Sequence, residues 1–229
     1  MRILAIETAT MLGGVALMDS GEGLMAERRI NVRSTHSESL MPELEAMLRL
    51  AGVEARELDA VAVSIGPGAF TGLRIGLSAA KGLCFSAGLS LVPVPTLEAM
   101  AYCLPYSGIP VCPMLDARKR EVYAGLFSTE SGWPEALLRP AAKKAGDFAA
   151  GIEGHERVIF LGQGALAYAE DIRRSFSGEA LFAPWHLMAP SPASVAAMGL
   201  QLLDAGDLPD PICLTPAYLR SSEAELKAK

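Results

Sequence analysis

Two stretches of this chain repeat one grammar, and that repeat restricts the fold more than any other feature of the sequence. In the first, Arg2 to Glu7 alternates as a strand and ends in a carboxylate. Alternating segments follow at Gly14 to Asp19 and Leu24 to Ile30, separated by turn residues at Met11 to Gly13 and at Ser20, Gly21 and Gly23. In the second, Val111 to Asp116 is apolar and again ends in a carboxylate, Glu121 to Ser128 alternates, and Ser131-Gly132 makes a turn. Each opening leads into helical segments and short apolar strands. Two half-chains built alike predict an internal duplication in which each half is a mixed sheet, antiparallel at first and parallel after a helical crossover, with covering helices.

The connecting segments sharpen this reading. From His36 to Ala51 the positions Leu40, Leu44, Met47, Leu48 and Ala51 recur at helical spacing, Gly52 fits the position after a helix, and Thr35-x-x-Glu38 offers a capping box. Pro42 calls for a kink or a later start. Leu58 to Ile65 is a buried parallel-type strand, Gly66-Pro67-Gly68-Ala69-Phe70 a loop, and Thr71 or Gly72 opens a helix to about Ala87, with Thr71 as its cap. Leu89 to Val94 is the next strand. In the second half the pattern predicts a polar helix around Lys143 to Ala150, a strand from Val158 to Gly162, a helix from Ala165 to Ser175, a short apolar segment near Leu181 and a helix from Ala193 to Ala205.

Composition then removes whole classes of function. The 229 residues carry 20 Lys and Arg against 26 Asp and Glu, a formal charge of -6, so a strong grip on nucleic acid by the chain as a whole is not expected. With 51% hydrophobic residues and a mean hydropathy of +0.29, either a membrane span or a large buried surface is required. The charge-free stretch from Gly82 to Leu97 is broken by Gly88, Pro93 and Pro95 and is too short to span a bilayer. The first residues carry Glu7 inside the apolar run, so no signal peptide is read there and a cytoplasmic location is expected. From Ala60 to Leu97 the only charges are Arg74 and Lys81, which points to a partner surface rather than a membrane. Cys84, Cys103, Cys112 and Cys213 form no C-x-x-C pair and read as buried thiols.

Candidate chemistries narrow by spacing. His36, His155 and His186 are too far apart to place two imidazoles on one helix face, and His36 reads as a solvated or capping residue. The string G-P-G-A-F-T-G-L-R puts Thr71 where a Walker loop needs its second glycine, and no lysine follows. It remains either a tight strand-to-helix turn or an anion-accepting helix start. No nucleophile elbow is present. Glu7 and Asp116 are either a general acid and base or caps of neighbouring loops. Gly72, Gly76 and Ala79 or Ala80 form a small-residue ribbon that packs within the chain or against a helix of another protein.

Several strings together resemble one family: I-L-A-I-E-T-A-T with G-G-V-A-L, T-H-S-E-S-L-M-P-E-L, S-I-G-P-G-A-F-T-G-L-R-I-G-L with A-A-K-G-L, and L-D-A-R-K-R-E-V-Y. They are similar to the bacterial TsaB family, also called YeaZ. The likeness is dense from Met1 to about Gly125, with G-Q-G-A at Gly162 and P-A-Y-L-R at Pro216 as later touches. The resemblance implies an α/β chain with the two-lobed actin-like ATPase (ASKHA) fold shared with sugar kinases. It implies an N-terminal lobe over residues 1–104, completed by 215–229, and a C-terminal lobe over 105–214. In that superfamily strand-ending carboxylates and glycine turns line a nucleotide cleft, whose counterparts here are Glu7, Thr8, Asp116, Gly162 and Gly164. ATP or ADP is the only cofactor the resemblance suggests, and Glu7 stands where actin-like ATPases generally carry Asp.

The implied function is that of a partner subunit without activity of its own in the machinery that makes threonylcarbamoyladenosine beside the anticodon of ANN-decoding tRNAs. Its partners would be a TsaD-like catalytic paralogue and a TsaE-like ATPase, with a homodimer when alone and tRNA reached mainly through the complex. The paralogue's metal sits on a histidine pair that this chain lacks, so no catalytic or metal-binding residue is assigned. The expected partner face lies on helices 36–51 and 71–87, through Leu40, Leu44, Met47, Phe70, Gly72, Leu73, Gly76, Ala79 and Ala80. The rivals are an actin-fold ATPase or kinase using its own cleft and, from an older label of the wider family, a metal-dependent peptidase.

Overall fold

A computed structural model of the chain describes residues 1–32 and 35–219, which divide into two units. The first unit begins with β1 (Arg2–Glu7), β2 (Leu12–Asp19) and β3 (Gly23–Asn31) in antiparallel array, followed by helix α1 (Leu40–Ala51). β4 (Ala60–Gly66), helix α2 (Phe70–Ala87) and β5 (Ser90–Pro95) then add two parallel strands, giving the order β3-β2-β1-β4-β5. Sequence explains the placement. Ile3 to Ile6 and Ala60 to Val63 are apolar on both faces and wholly buried, as inner strands must be. β3 carries Glu27, Arg28 and Arg29 and takes the edge.

The second unit opens in α3 (Thr96–Ala101) and continues through β6 (Val111–Asp116), β7 (Glu121–Ser128), β8 (Glu135–Lys144) and α4 (Ala145–Ala150). β9 (Arg157–Leu161), α5 (Gln163–Ala167), α6 (Ala169–Ser175) and β10 (Glu179–Phe182) complete it. Its order, β8-β7-β6-β9-β10, matches the first sheet strand for strand: the central strand pairs antiparallel with the strand that follows it and parallel with the later one. The duplication predicted from the openings is present in the topology. Phe160 anchors this core, edge-on to Phe176 at 5.7 Å and tilted against Phe182 at 5.9 Å.

Helix α7 (Pro192–Ala205) then returns to the first sheet. Leu4, Ile6, Val61 and Val63 pack with Leu40, Leu44 and Met47 of α1 and Leu77 and Cys84 of α2 on one face. The alternate residues Ile3 and Ala62 meet Gly199 of α7, where a Cβ would lie 2.6 Å from that of Ala62. This return moves the boundaries expected at 104 and 214. The first unit holds 1–96 and 190–217, because α7 covers the first sheet; of the expected C-terminal completion, 218 and 219 fall with the second unit and 220–229 lie outside the described residues.

Other local expectations change too. Lys143 and Lys144 close strand β8 rather than opening a helix, and the helix expected over 165–175 divides at Tyr168 (φ -119°, ψ 26°). Ser39 and Ala69 occupy the caps of α1 and α2 without side-chain hydrogen bonds, so neither the Thr35/Glu38 box nor the Thr71 cap forms. Gly52 ends α1 as expected, at φ 67°.

Candidate functional site

The strand-ending carboxylate of the first unit is buried. Glu7 has no solvent exposure; the Ala9 N-H donates to its Oε1 at 2.6 Å and the Ser64 hydroxyl donates to Oε2. Desolvation pushes its carboxyl up to about 7, only partly opposed by these two hydrogen bonds and by the Arg29 charge. Both oxygens are engaged by the chain itself. Of the two readings left open by the sequence, the loop cap describes Glu7. Ser64 was not singled out from the sequence, since a serine inside a strand run carries no local signal of its partner.

The glycine string serves the same corner. The Thr8 hydroxyl donates to the Gly72 carbonyl at 2.8 Å, and the Ala69 N-H donates to the Ala9 carbonyl at 2.7 Å. A Cβ at Gly72 would lie 2.1 Å from the Thr8 carbonyl oxygen, one at Gly76 2.2 Å from Thr8 Oγ1, and one at Gly68 2.6 Å from the Ala9 Cβ. Glycine is required at these positions because the end of β1 runs directly against the first turns of α2. Nearby, Gly66 adopts φ 116° and faces the Ala217 carbonyl, while the Ala217 N-H donates to Ile65 at 2.7 Å. His36 is likewise structural and buried, not solvated: its Nε2 lies 2.7 Å from the Thr10 carbonyl.

The expected partner face divides accordingly. Leu40, Leu44, Met47, Gly72, Leu73, Gly76 and Ala80 are buried within the first unit, Ala79 is half-buried, and Phe70 is exposed. The small-residue ribbon therefore faces β1 of its own chain. The outward side of the same helices holds other residues. Phe85 is 94% exposed and Leu50 77%, joined by Met41 and by Phe70, whose ring lies 3.8 Å from the Arg74 guanidinium. The exposed ring of Phe85 represents roughly 1.5–3 kcal/mol of unused burial, which a partner surface could recover.

In the second unit Asp116 is exposed, and its Oδ1 accepts the Arg118 N-H at 2.9 Å, capping its own hairpin. Gly162 and Gly164 are fixed by packing. A Cβ on Gly162 would lie 2.2 Å from the Met114 carbonyl, and one on Gly164 2.9 Å from Val122. Glu7, Thr8, Gly162 and Gly164 thus have roles inside their own units, and Asp116 alone of the five nucleotide-cleft candidates presents its side chain to solvent.

The cysteines build no second candidate among the described residues. Burial pushes the Cys84 thiol up to about 11 and raises that of Cys112, whereas Cys103 is half-buried and Cys213 is exposed, contrary to the reading of four buried thiols. Among the described residues no group of three metal-ligating side chains occurs, and no helix is long and apolar enough to cross a membrane.

Comparison with known proteins agrees with this architecture. Residues 30–227 match the family model described as TsaD, tRNA N6-adenosine threonylcarbamoyltransferase. The chain is 29% identical over 228 residues to the tRNA threonylcarbamoyladenosine biosynthesis protein TsaB of Bacillus subtilis, covering 99% of this chain and 97% of that one. YeaZ from Pseudomonas aeruginosa superposes with a TM-score of 0.81 at 25% identity, covering 95% of this chain and 99% of its own. A ROK hexokinase from Thermus thermophilus, at 12% identity and a TM-score of 0.52 over 90% of this chain and all of its own, shares the fold. The fold is the actin-like ATPase type.

Proposed function

We propose a function from one premise: the chain belongs to the TsaD family, in its TsaB/YeaZ branch. It serves the formation of threonylcarbamoyladenosine in tRNA as a scaffold subunit without catalysis of its own, pairing with a TsaD-like paralogue and supporting recruitment of a TsaE-like ATPase. The observation that carries this reading is the outward side of α1 and α2, where Phe85 and Leu50 stand in water on helices whose inner sides are committed to the sheet. The proposed contact thus moves from the buried ribbon to Phe70, Ala79 and the outer residues. A buried Glu7 with both oxygens occupied also favours a scaffold over a phosphate-transfer enzyme.

The test is depletion of the chain in its own cell followed by complementation and mass spectrometry of tRNA nucleosides. Depletion should lower threonylcarbamoyladenosine, the wild-type gene should restore it, and Phe85→Glu should restore it poorly and fail to co-purify the TsaD-like protein while folding normally. Undiminished threonylcarbamoyladenosine after depletion would sink the assignment. A Phe85→Glu variant that co-purifies as wild type does would place the interface elsewhere.

A further inference from the structure

The hairpin between β6 and β7 turns through Arg118, Lys119 and Arg120, and all three have left-handed backbones, with φ of 63°, 55° and 63°. Left-handed residues other than glycine are disfavoured, and three in succession persist only when the surroundings fix them. Here the Ala117 N-H donates to the Glu121 carbonyl at 2.9 Å, the Glu121 N-H to the Arg118 carbonyl at 3.0 Å, and Asp116 caps the Arg118 N-H. The result lifts three cationic side chains, all exposed, off the end of the sheet.

Other cations share that end. Strand register sets Lys144 opposite Glu121 and Lys143 opposite Val122, and both lysines are exposed. Arg120 also lines an open depression of about 780 Å³ with Tyr168, Arg173 and Arg174 of α6 and its entry. The segments 116–121, 143–147 and 168–174 hold seven Lys and Arg against five Asp and Glu, in a chain with 20 against 26. A net-positive surface on an acidic protein needs a reason, and an anion is the chemistry it fits.

We infer that this end of the second unit contacts the phosphodiester backbone of RNA directly. An RNA strand suits the arrangement better than a nucleotide, because the cations are spread over a hairpin, a strand end and a helix along an open depression. A nucleotide site is more enclosed and offers apolar walls for the base, whereas Glu170, Asp171, Arg173 and Arg174 make much of this lining. The inference rests on the proposed function only for which RNA is meant, the tRNA substrate of the modification.

The experiment measures binding of an unmodified ANN-decoding tRNA transcript to the purified full-length chain across a KCl series. Four proteins are compared: wild type, Arg120→Gln/Lys143→Gln/Lys144→Gln, a charge-matched control, Arg49→Gln/Arg56→Gln/Arg157→Gln, and the double variant Lys143→Gln/Lys144→Gln. Each phosphate contact adds about 0.9 to the slope of log K against log salt, so the first variant should lose about 2 to 3 from the slope and bind roughly a hundredfold more weakly at 0.1 M salt. The control should bind like wild type. Lys143→Gln/Lys144→Gln, which leaves the left-handed turn untouched, should show an intermediate loss and guards against misfolding of the hairpin.

Equal slopes for all proteins would overturn the contact, and so would displacement of tRNA by millimolar ATP, which would mark a nucleotide site. Either result, combined with threonylcarbamoyladenosine that still falls on depletion, overturns the contact and leaves the scaffold reading intact. The converse, a slope lost as expected with undiminished threonylcarbamoyladenosine on depletion, supports the contact and overturns the scaffold reading.

Discussion

The two units end their central strands alike and use those ends in opposite ways. β1 ends in Glu7, wholly buried and hydrogen-bonded by Ser64 and Ala9, under the glycine-lined first turns of α2. β6 ends in Asp116, exposed at the base of a left-handed cationic hairpin. Both strands run against glycines at the start of a later helix of their own unit, Gly72 in the first turn of α2 for Thr8 and Gly162, the cap of α5, for Met114. The contrast arises in the hairpins: the first turns back through Thr8 to Met11, with the Thr10 carbonyl held by His36, and the second projects three cations. Duplication gave two equivalent corners, of which one became core and the other remained a surface.

Substitutions can break this comparison in order of expected size. Gly72→Val forces a side chain onto the Thr8 carbonyl and should cost about 3 kcal/mol or leave the protein unfolded, read by denaturant melts. A mild effect there would mean that the corner is not closed. Next is Glu7. Its folded carboxyl titrates near 7, above its unfolded value of 4.5, so the fold binds an extra proton between these values and stability falls as pH rises through 7. The full swing is about 3 kcal/mol. Glu7→Gln should flatten that slope and leave the variant the more stable of the two at pH 8, as measured by urea midpoints at several pH values. A parallel decline in both proteins would remove Glu7 as the source.

Ser64→Ala takes away one donor and should lower stability by about 1–2 kcal/mol at pH 8, where the carboxylate needs it most. Its effect should shrink at pH 5. Asp116→Asn, at the equivalent corner of the second unit, should stay within about 0.5 kcal/mol at either pH, since Asn retains the cap on the Arg118 N-H. A loss there as large as that of Glu7→Gln would erase the distinction between the corners.

How legible these features were depends on how local their causes are. The strands β1 to β3, the helix of the Gly-Pro-Gly string and Gly52 at the end of α1 follow from alternation, period and a left-handed glycine, all carried by neighbouring residues. β8 was hidden because Ala141, Ala142, Lys143 and Lys144 look helical, and because Pro140 argues against a strand; an edge position beside β7 tolerates it. The left-handed triplet contains no glycine and so leaves no mark in the sequence. The direction in which Gly72 and Gly76 face was also invisible. A small-residue ribbon is compatible with any close neighbour, and only the approach of Thr8 shows that the neighbour is β1.

The return of α7 to the first sheet has a consequence for how the chain is made. The strands of the second unit all lie within 97–189 and are all present once that segment has left the ribosome. The first unit is split around it. Ile3 and Ala62, buried against Gly199, have no cover until residues near 199 are synthesised, roughly 5 to 20 s after β5 at ordinary translation rates. During that interval one face of a five-stranded sheet is naked and sticky. The unit that begins first therefore waits, half-clothed, for a helix made only after every strand of the second unit.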